Sequence, residues 1–395
     1  MRRLVCLALL LWPAPQRGTL EGRWRAVLDL EGGTLPFEVR IARTGGRLLA
    51  TLCNGPACET EALVTARGDE VVLDIADYAA TITATHRGDS LAGTYRNVGN
   101  RGPRAIPFRA RRGSWPREPA PGGLLGSWDA TFVTDGRKSP RVFEFRNGRE
   151  GLEAAYLANS GDYGLFWGGA RGDSFHVARF DGTFVFLLEG RLDGDTLRGI
   201  FHAGLRTQTP WTAVRSTGSA HLAAPTALTA ADTLHPFRFA FPDLLGRTVT
   251  PDDPRLKGKV LLLDIFGTWC SSCHEAMPDL LALYRDYHGR GLEIVGFGYE
   301  VSADSAEANR LIRRFRDKYR IPWPLLRAGI NVVEETAATL PQLSGFTAYP
   351  TTLFIGRDGR IRQVYAGFRG PAAGAQHARQ VEDYRRIIEA LLAER

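Results

Sequence analysis

Two hydrophobic periods divide the chain. From about residue 20 to residue 215, apolar and polar positions alternate in short runs broken by Gly, Asp and Asn. That alternation predicts strands joined by tight turns. Beyond residue 258 the pattern changes. Val260, Leu261, Leu262, Leu263, Ile265 and Phe266 form a nearly unbroken apolar run, which predicts a strand covered on both faces. Ala276, Leu280, Leu281, Leu283 and Tyr284 then recur at helical spacing, with Pro278 early in the segment. Residues 292–297 read as a second strand, and 303–319 as a helix with Leu311, Ile312 and Phe315 on one face. Residues 351–355 and 361–365 flank Asp358-Gly359, a hairpin pair, and 381–392 closes the chain as a helix. The order β-α-β-α-β-β-α predicts a mixed sheet with helices on both faces.

The β-rich part repeats. Gly22-Arg23-Trp24-Arg25-Ala26 returns as Gly126-Ser127-Trp128-Asp129-Ala130. Phe37-Glu38-Val39-Arg40 returns as Phe143-Glu144-Phe145-Arg146, and Gly88-Asp89-Ser90-Leu91-Ala92-Gly93 as Gly194-Asp195-Thr196-Leu197-Arg198-Gly199. The offset stays between 104 and 106 residues, so the matches belong to one duplicated unit. Each unit has room for about six to eight short strands, an antiparallel meander closed into a small barrel or stacked as a sandwich. The fold class is therefore multidomain: two tandem β-rich repeats, 20–113 and 124–216, then an α/β domain from 236 to 395. A Pro-rich stretch at 114–123 and an Ala/Thr/Ser-rich stretch at 217–235 read as linkers. Trp24, Trp128, Phe166, Trp167 and Trp211 read as core, and His86, His176 and His202 lack ligand spacing.

Composition narrows the function. The chain of 395 residues is 44% hydrophobic and 24% charged, which excludes a largely disordered protein. The net charge of +7 is carried almost wholly by Arg, without a dense basic run, and a nucleic-acid role has no support. Arg2 and Arg3 precede the short apolar run 4–12, the pattern of an export signal over residues 1–18. That run is too short to span a bilayer, and no later segment reads as a membrane span. Cys6 lies within it, leaving Cys53, Cys58, Cys270 and Cys273 as two close pairs suited to an oxidising compartment. Cys53-Asn54-Gly55-Pro56-Ala57-Cys58 turns on Gly-Pro and suits a structural disulfide, with a second redox pair or two free thiols as the alternatives.

The chemistry sits at Trp269-Cys270-Ser271-Ser272-Cys273. Cys270 falls where a strand ends and a helix begins, so its sulfur faces unpaired N–H groups and the positive end of the helix dipole. In Cys-x-x-Cys sites the attacking thiol's pKa falls from about 8.5 to roughly 3.5–7.5. Cys273, one turn deeper, is placed to attack a mixed disulfide formed at Cys270. No second ligand pair follows and His274 alone does not supply one, so neither a metal nor a cofactor is expected.

These residues, with Pro242-Asp243, Gly246, Leu256-Lys257-Gly258-Lys259-Val260, Asp264, Met277-Pro278 and Tyr349-Pro350-Thr351-Thr352, resemble exported thioredoxin-fold proteins of the TlpA/ResA-like family. The resemblance covers about residues 236–395 and leaves the repeats outside. It implies that Pro350 is a cis-proline beside the disulfide, that Trp269 and Tyr349 shape the partner-binding surface, and that Asp264 is a buried acid taking the proton from Cys273. In many ResA-like proteins a glutamate lies three residues after the second cysteine. Here that position is Ala276. Glu275 would point about 100° away on the helix, which moves the acid–base role to Asp264. Glu300 stands near the start of an insertion and can also reach the site.

The expected function is an exported thiol:disulfide oxidoreductase, acting as a reductase on protein partners and re-supplied by an upstream electron-donor protein. Its expected location is extracytoplasmic, in a bacterial periplasm or cell envelope. The alternatives are a thiol peroxidase of the peroxiredoxin type and a binding protein whose repeats select the partner.

Overall fold

A computed structural model describes residues 19–99, 102–118, 120–218 and 221–394. The export-signal reading of residues 1–18 lies outside the described residues. Each repeat is an eight-stranded antiparallel barrel, closed in strand order, so a sandwich is excluded. The first runs from β1 (Gly22–Leu30) to β8 (Gly102–Arg112), which pair with each other. The second runs from β9 (Gly126–Thr134) to β16 (Thr207–Arg215), closed likewise. Closure leaves no strand edge open along either sheet.

The duplication persists in atomic detail. Trp24 Nε1 donates to the Leu20 carbonyl at 2.9 Å, and Trp128 Nε1 to the Leu124 carbonyl at 2.8 Å. The guanidinium of Arg112 lies 4.5 Å from the Trp24 ring centre, and that of Arg215 lies 4.2 Å from Trp128. Each barrel thus plugs one end with an indole, satisfies its N–H locally and caps it with an arginine from the last strand.

The barrels share a core. Ala178 and Phe180 of β13 (Ser174–Phe180) and Val185 and Leu187 of β14 (Val185–Asp193) pack with the interior of the first barrel. Phe180 packs with its ring centre 4.7 Å from that of Phe37 and edge-on 5.0 Å from that of Tyr95. Its backbone is held by both atoms of the Asn54 amide, at 2.9 and 3.1 Å. Asn54 lies between Cys53 and Cys58, whose sulfurs are bonded at 2.14 Å. Gly55 in this turn has φ +61°, and a Cβ there would collide with the Trp167 indole. Trp167 is buried, as expected for a core residue, but outside its barrel's interior. It alternates outward from Phe166, which faces the second barrel's interior, and seals the seam between barrels. The Pro-rich stretch is docked too: Trp115 Nε1 donates to the Phe37 carbonyl at 2.7 Å.

The C-terminal domain has a five-stranded sheet. Its order is β22 (Leu325–Ile330), β21 (Leu292–Glu300), β20 (Val260–Phe266), β24 (Thr351–Ile355), β25 (Ile361–Ala366). The first three run parallel and the last two antiparallel. Helices α1 (Ser271–Tyr287), α2 (Ser305–Tyr319), α3 (Val333–Thr339) and α4 (Ala375–Ala393) cover it. Short pairs complete the domain: β17 (Ala230–Ala231) with β23 (Leu343–Ser344), and β18 (Phe241–Pro242) with β19 (Thr248–Val249). The expected order β-α-β-α-β-β-α therefore lacks one strand and one helix, β22 and α3. Gly329 and the polar Arg327 break the apolar signal of that edge strand, and a seven-residue helix carries little periodicity.

Candidate functional site

Strand β20 sets the site. All seven of its residues are buried, and they alternate between two cores. Leu261, Leu263 and Ile265 face one, while Val260, Leu262 and Phe266 face the other, with α1, α4 and both cysteines. Asp264 has the parity of Leu262, so it enters the cysteine side. Its Oδ1 has no hydrogen-bond partner among the described residues, and burial pushes its pKa up to about 7.

Cys270 is the N-cap of α1. The Cys273 backbone N–H points at Cys270 Sγ at 3.3 Å, and that sulfur donates to the Tyr349 carbonyl at 3.6 Å. An N-cap acceptor usually serves one of the orphan amides of the first turn; here a sulfur does it. Cys270 is 3% exposed and borders a cleft, while Cys273 is fully buried. Burial first, then the neighbouring Cys270 sulfur and Asp264, push the Cys273 thiol well above its ordinary range.

Tyr349-Pro350 is a cis peptide bond. Trp269 meets the Tyr349 ring edge-on at 5.2 Å and donates to the Tyr299 carbonyl at 2.8 Å. The Tyr349 hydroxyl lies 2.5 Å from Thr336 Oγ1. Glu300 is fully buried and receives the Thr268 N–H at 3.0 Å and its hydroxyl at 2.7 Å. It therefore fixes the turn two residues before Cys270, and burial raises its pKa to about 7. The structure thus brings Cys270, Cys273, Asp264, Trp269, Tyr349 and Pro350 together, whereas Cys53 and Cys58 belong to the first barrel. Among the described residues, no group of His, Cys, Asp and Glu is placed to hold a metal ion.

Sequence reasoning missed the other side of the site. Arg179 of β13 is wholly buried, and its Nη2 donates to Ser271 Oγ at 3.0 Å, Glu275 Oε1 at 2.9 Å and Glu59 Oε2 at 3.0 Å. Its Nε reaches Asp181 Oδ2 at 3.3 Å. One guanidinium therefore joins both barrels to the first turn of α1. Gly164 makes room for it: φ there is +80°, and a Cβ would overlap the guanidinium. Glu275 does turn away from the sulfurs, but into this cluster rather than toward solvent. Burial and the crowding of Asp162, Glu59 and Asp181 lift its pKa to about 8 despite Arg179. Ser272 Oγ donates to the Asp162 carbonyl at 2.9 Å. His274 is also buried, between Tyr319 and the Thr268 carbonyl, and burial lowers its pKa to about 4. The signal available for Arg179 was one arginine in an otherwise apolar strand end, which no local pattern distinguishes from a surface arginine.

A dithiol at the start of a helix, behind a buried acid and beside a cis-proline, on a sheet of this order, defines a thioredoxin-fold dithiol domain. Residues 235–364 match the AhpC/TSA family. The chain is 31% identical over 130 residues to thiol-disulfide oxidoreductase ResA of Halalkalibacterium halodurans, covering 33% of this chain and 65% of that protein. It is 27% identical over 150 residues to ResA of Bacillus thuringiensis subsp. konkukian, covering 38% and 74%. Among solved structures, a thioredoxin-family thiol:disulfide interchange protein from Chlorobium tepidum is similar at 21% identity, with 42% of this chain and 99% of that chain covered and a TM-score of 0.31. A secreted thiol-disulfide isomerase from Corynebacterium glutamicum is similar at 16% identity, covering 46% and 96%, with a TM-score of 0.32. The C-terminal part of the chain is thus similar to ResA-like thioredoxin-fold proteins. The match spans less than two thirds of the first of these relatives.

Proposed function

We propose that the protein is a thiol:disulfide oxidoreductase working outside the cytoplasm as a reductase of partner proteins. The observation that carries this is the asymmetry of the two sulfurs. Cys270 caps a helix and borders a cleft, while Cys273 is buried behind it. Cys270, the sulfur that borders the cleft, attacks as its thiolate, the nucleophilic form of any thiol. That thiolate attacks a partner disulfide, the partner S–S bond breaks, and one partner sulfur leaves as a thiolate that takes up a proton. Cys273 gives its proton to Asp264 and attacks the Cys270 sulfur of the mixed disulfide. The second partner thiolate leaves, the Cys270–Cys273 bond forms, and two electrons have passed to the partner. An external dithiol protein then restores the reduced pair. Tyr349, Pro350 and Trp269 line the partner's approach. The bonded Cys53–Cys58 pair supports an oxidising location, and among the described residues no helix is long and apolar enough to cross a membrane.

Reduction of a small disulfide such as 2-hydroxyethyl disulfide with a dithiol donor is expected to vanish in Cys270→Ser, and Cys273→Ser is expected to accumulate mixed disulfides with its partners. Undiminished reduction by Cys270→Ser would overturn the assignment. Rapid peroxide consumption that survives in Cys273→Ser would establish a thiol peroxidase instead.

A further inference from the structure

Cys270 does not open onto a flat face, because the barrels roof it. The cleft it borders has a volume of about 920 Å³, toward the upper end of the roughly 300–1,000 Å³ of ordinary ligand sites. Its floor is Trp269, Cys270 and Tyr349, and its opposite wall comes from the second barrel. On that wall Tyr163, Phe184 and Phe186 are half-buried and pack against one another in tilted and edge-on contacts, with centres 4.9 to 6.1 Å apart. Partly exposed aromatic rings packed this closely are an apolar surface without a cover. Arginines Arg104, Arg141 and Arg206 border the same cleft, against a single carboxylate, Asp162. Arg206 is paired with Glu31. Arg104 is held by Asn97 Oδ1 and the Thr183 carbonyl, and Arg141 by the Tyr156 hydroxyl and the Pro140 carbonyl. Neither has an ion-pair partner among the described residues.

Resting on the reading of Cys270 as the attacking thiol, we infer that the barrels build a substrate groove for an extended cysteine-bearing polypeptide segment. Aromatic side chains beside its cysteine seat on Tyr163, Phe184 and Phe186, and a nearby carboxylate pairs with Arg104 or Arg141. The roof fixes the form of the substrate: a strand-like segment reaches Cys270, whereas a disulfide lying flat on a folded surface is held off by the barrels. The charge fixes its sign, because the lining has unpaired cations and its one acid is buried. Exchange itself follows the electron balance given above, with the segment's cysteine as the partner sulfur.

The test uses the full chain, reduced, and two synthetic peptides with one cysteine each, blocked as a thionitrobenzoate mixed disulfide. One carries phenylalanines beside the cysteine and a glutamate further along; the other carries serine and glycine. Release of thionitrobenzoate gives a second-order rate for each, and 2-hydroxyethyl disulfide gives a rate free of peptide contacts. The expected result is a preference of about tenfold for the aromatic, acidic peptide, a difference on the order of 1.4 kcal/mol. In Phe184→Ala with Phe186→Ala that ratio is expected to fall to about one. Phe184→Leu, which keeps an apolar side chain, retains part of it, and Arg104→Gln with Arg141→Gln removes the share due to the glutamate. Because each ratio is taken within one protein, a change in the thiol itself cancels. Equal rates for the two peptides in the unaltered protein, or a ratio undiminished in the phenylalanine variants, would overturn the groove while 2-hydroxyethyl disulfide still reacts. No reaction with 2-hydroxyethyl disulfide would strike the oxidoreductase reading instead.

Discussion

Asp264 shows how its surroundings suit a single carboxyl to the role proposed for it. It lies in the interior strand β20 with one oxygen unpartnered, and burial sets its pKa near 7. An acid that titrates there can hold a proton briefly and release it near neutral pH. In the proposed mechanism, breakdown of the Cys270 mixed disulfide uses ionised Asp264, so its rate is expected to rise with pH through about 7. In Asp264→Asn that rise should disappear, with the rate at pH 8 falling by about 10²-fold, the lower range for general base catalysis. A single-turnover pH profile of mixed-disulfide breakdown checks this. A structural role alone would lower the amplitude or the stability without moving the profile. Stability moves the other way. The unfolded acid ionises near 3.8, so its folded-state advantage is complete below that pH and is lost as pH rises through about 7. Asp264→Asn is therefore expected to gain stability relative to the unaltered chain at pH 8 and not at pH 4, by denaturant midpoint.

At the scale of elements, the first turn of α1 is the point where three domains meet. Helix N-termini leave four amides unsatisfied, and here the capping sulfur, Ser271, Ser272 and Glu275 are all engaged by neighbours. Arg179 is the common member, and it is surrounded by Glu59, Asp181 and Glu275. Removing one partner of a buried ion cluster leaves uncompensated charge and typically costs about 3–5 kcal/mol. Arg179→Met is expected to lose stability in that range at pH 9.5, where Glu275 is ionised beside Arg179, measured by urea unfolding. The loss should shrink at pH 5, because Glu275, with its pKa raised to about 8, is then neutral and no longer needs the cation. An equal loss at both pH values would mean that packing, not charge, is what Arg179 supplies.

The molecule is held together by a core the two barrels share and by polar contacts that tie the barrels to the C-terminal domain. The Phe180 ring fills the first barrel although its strand belongs to the second. Asp77 of the first barrel pairs with Arg314 and Lys318 of α2, and Arg369 Nη1 donates to the Ala158 carbonyl at 2.6 Å. Such contacts couple unfolding of the parts. Calorimetry is expected to show one transition for the full chain, and Phe180→Ala should lower it by about 3–5 kcal/mol without splitting it. Separate barrel transitions in the unaltered protein would contradict the shared core.

Much of this was legible along the chain. Alternation with turn residues marked the β-rich units, their duplication showed as a constant offset, and the apolar run before Cys270 marked a strand leading into a helix. Those features follow from local periods, where backbone geometry alone decides which side chains share a face. The parity of Asp264 with Leu262 was legible for the same reason. What local pattern does not encode is docking. Arg179 meets Ser271 across 92 residues of chain, Trp167 is buried against the first barrel rather than inside its own, and Tyr163 and Phe184 line the same cleft as Cys270 only because the second barrel seats on α1. A contact between distant segments is a property of two shapes fitting, and neither shape leaves a period in the other's sequence. The residues themselves therefore determined the dithiol and its acid, and only the tertiary packing decided what surrounds the sulfur and which partners can reach it.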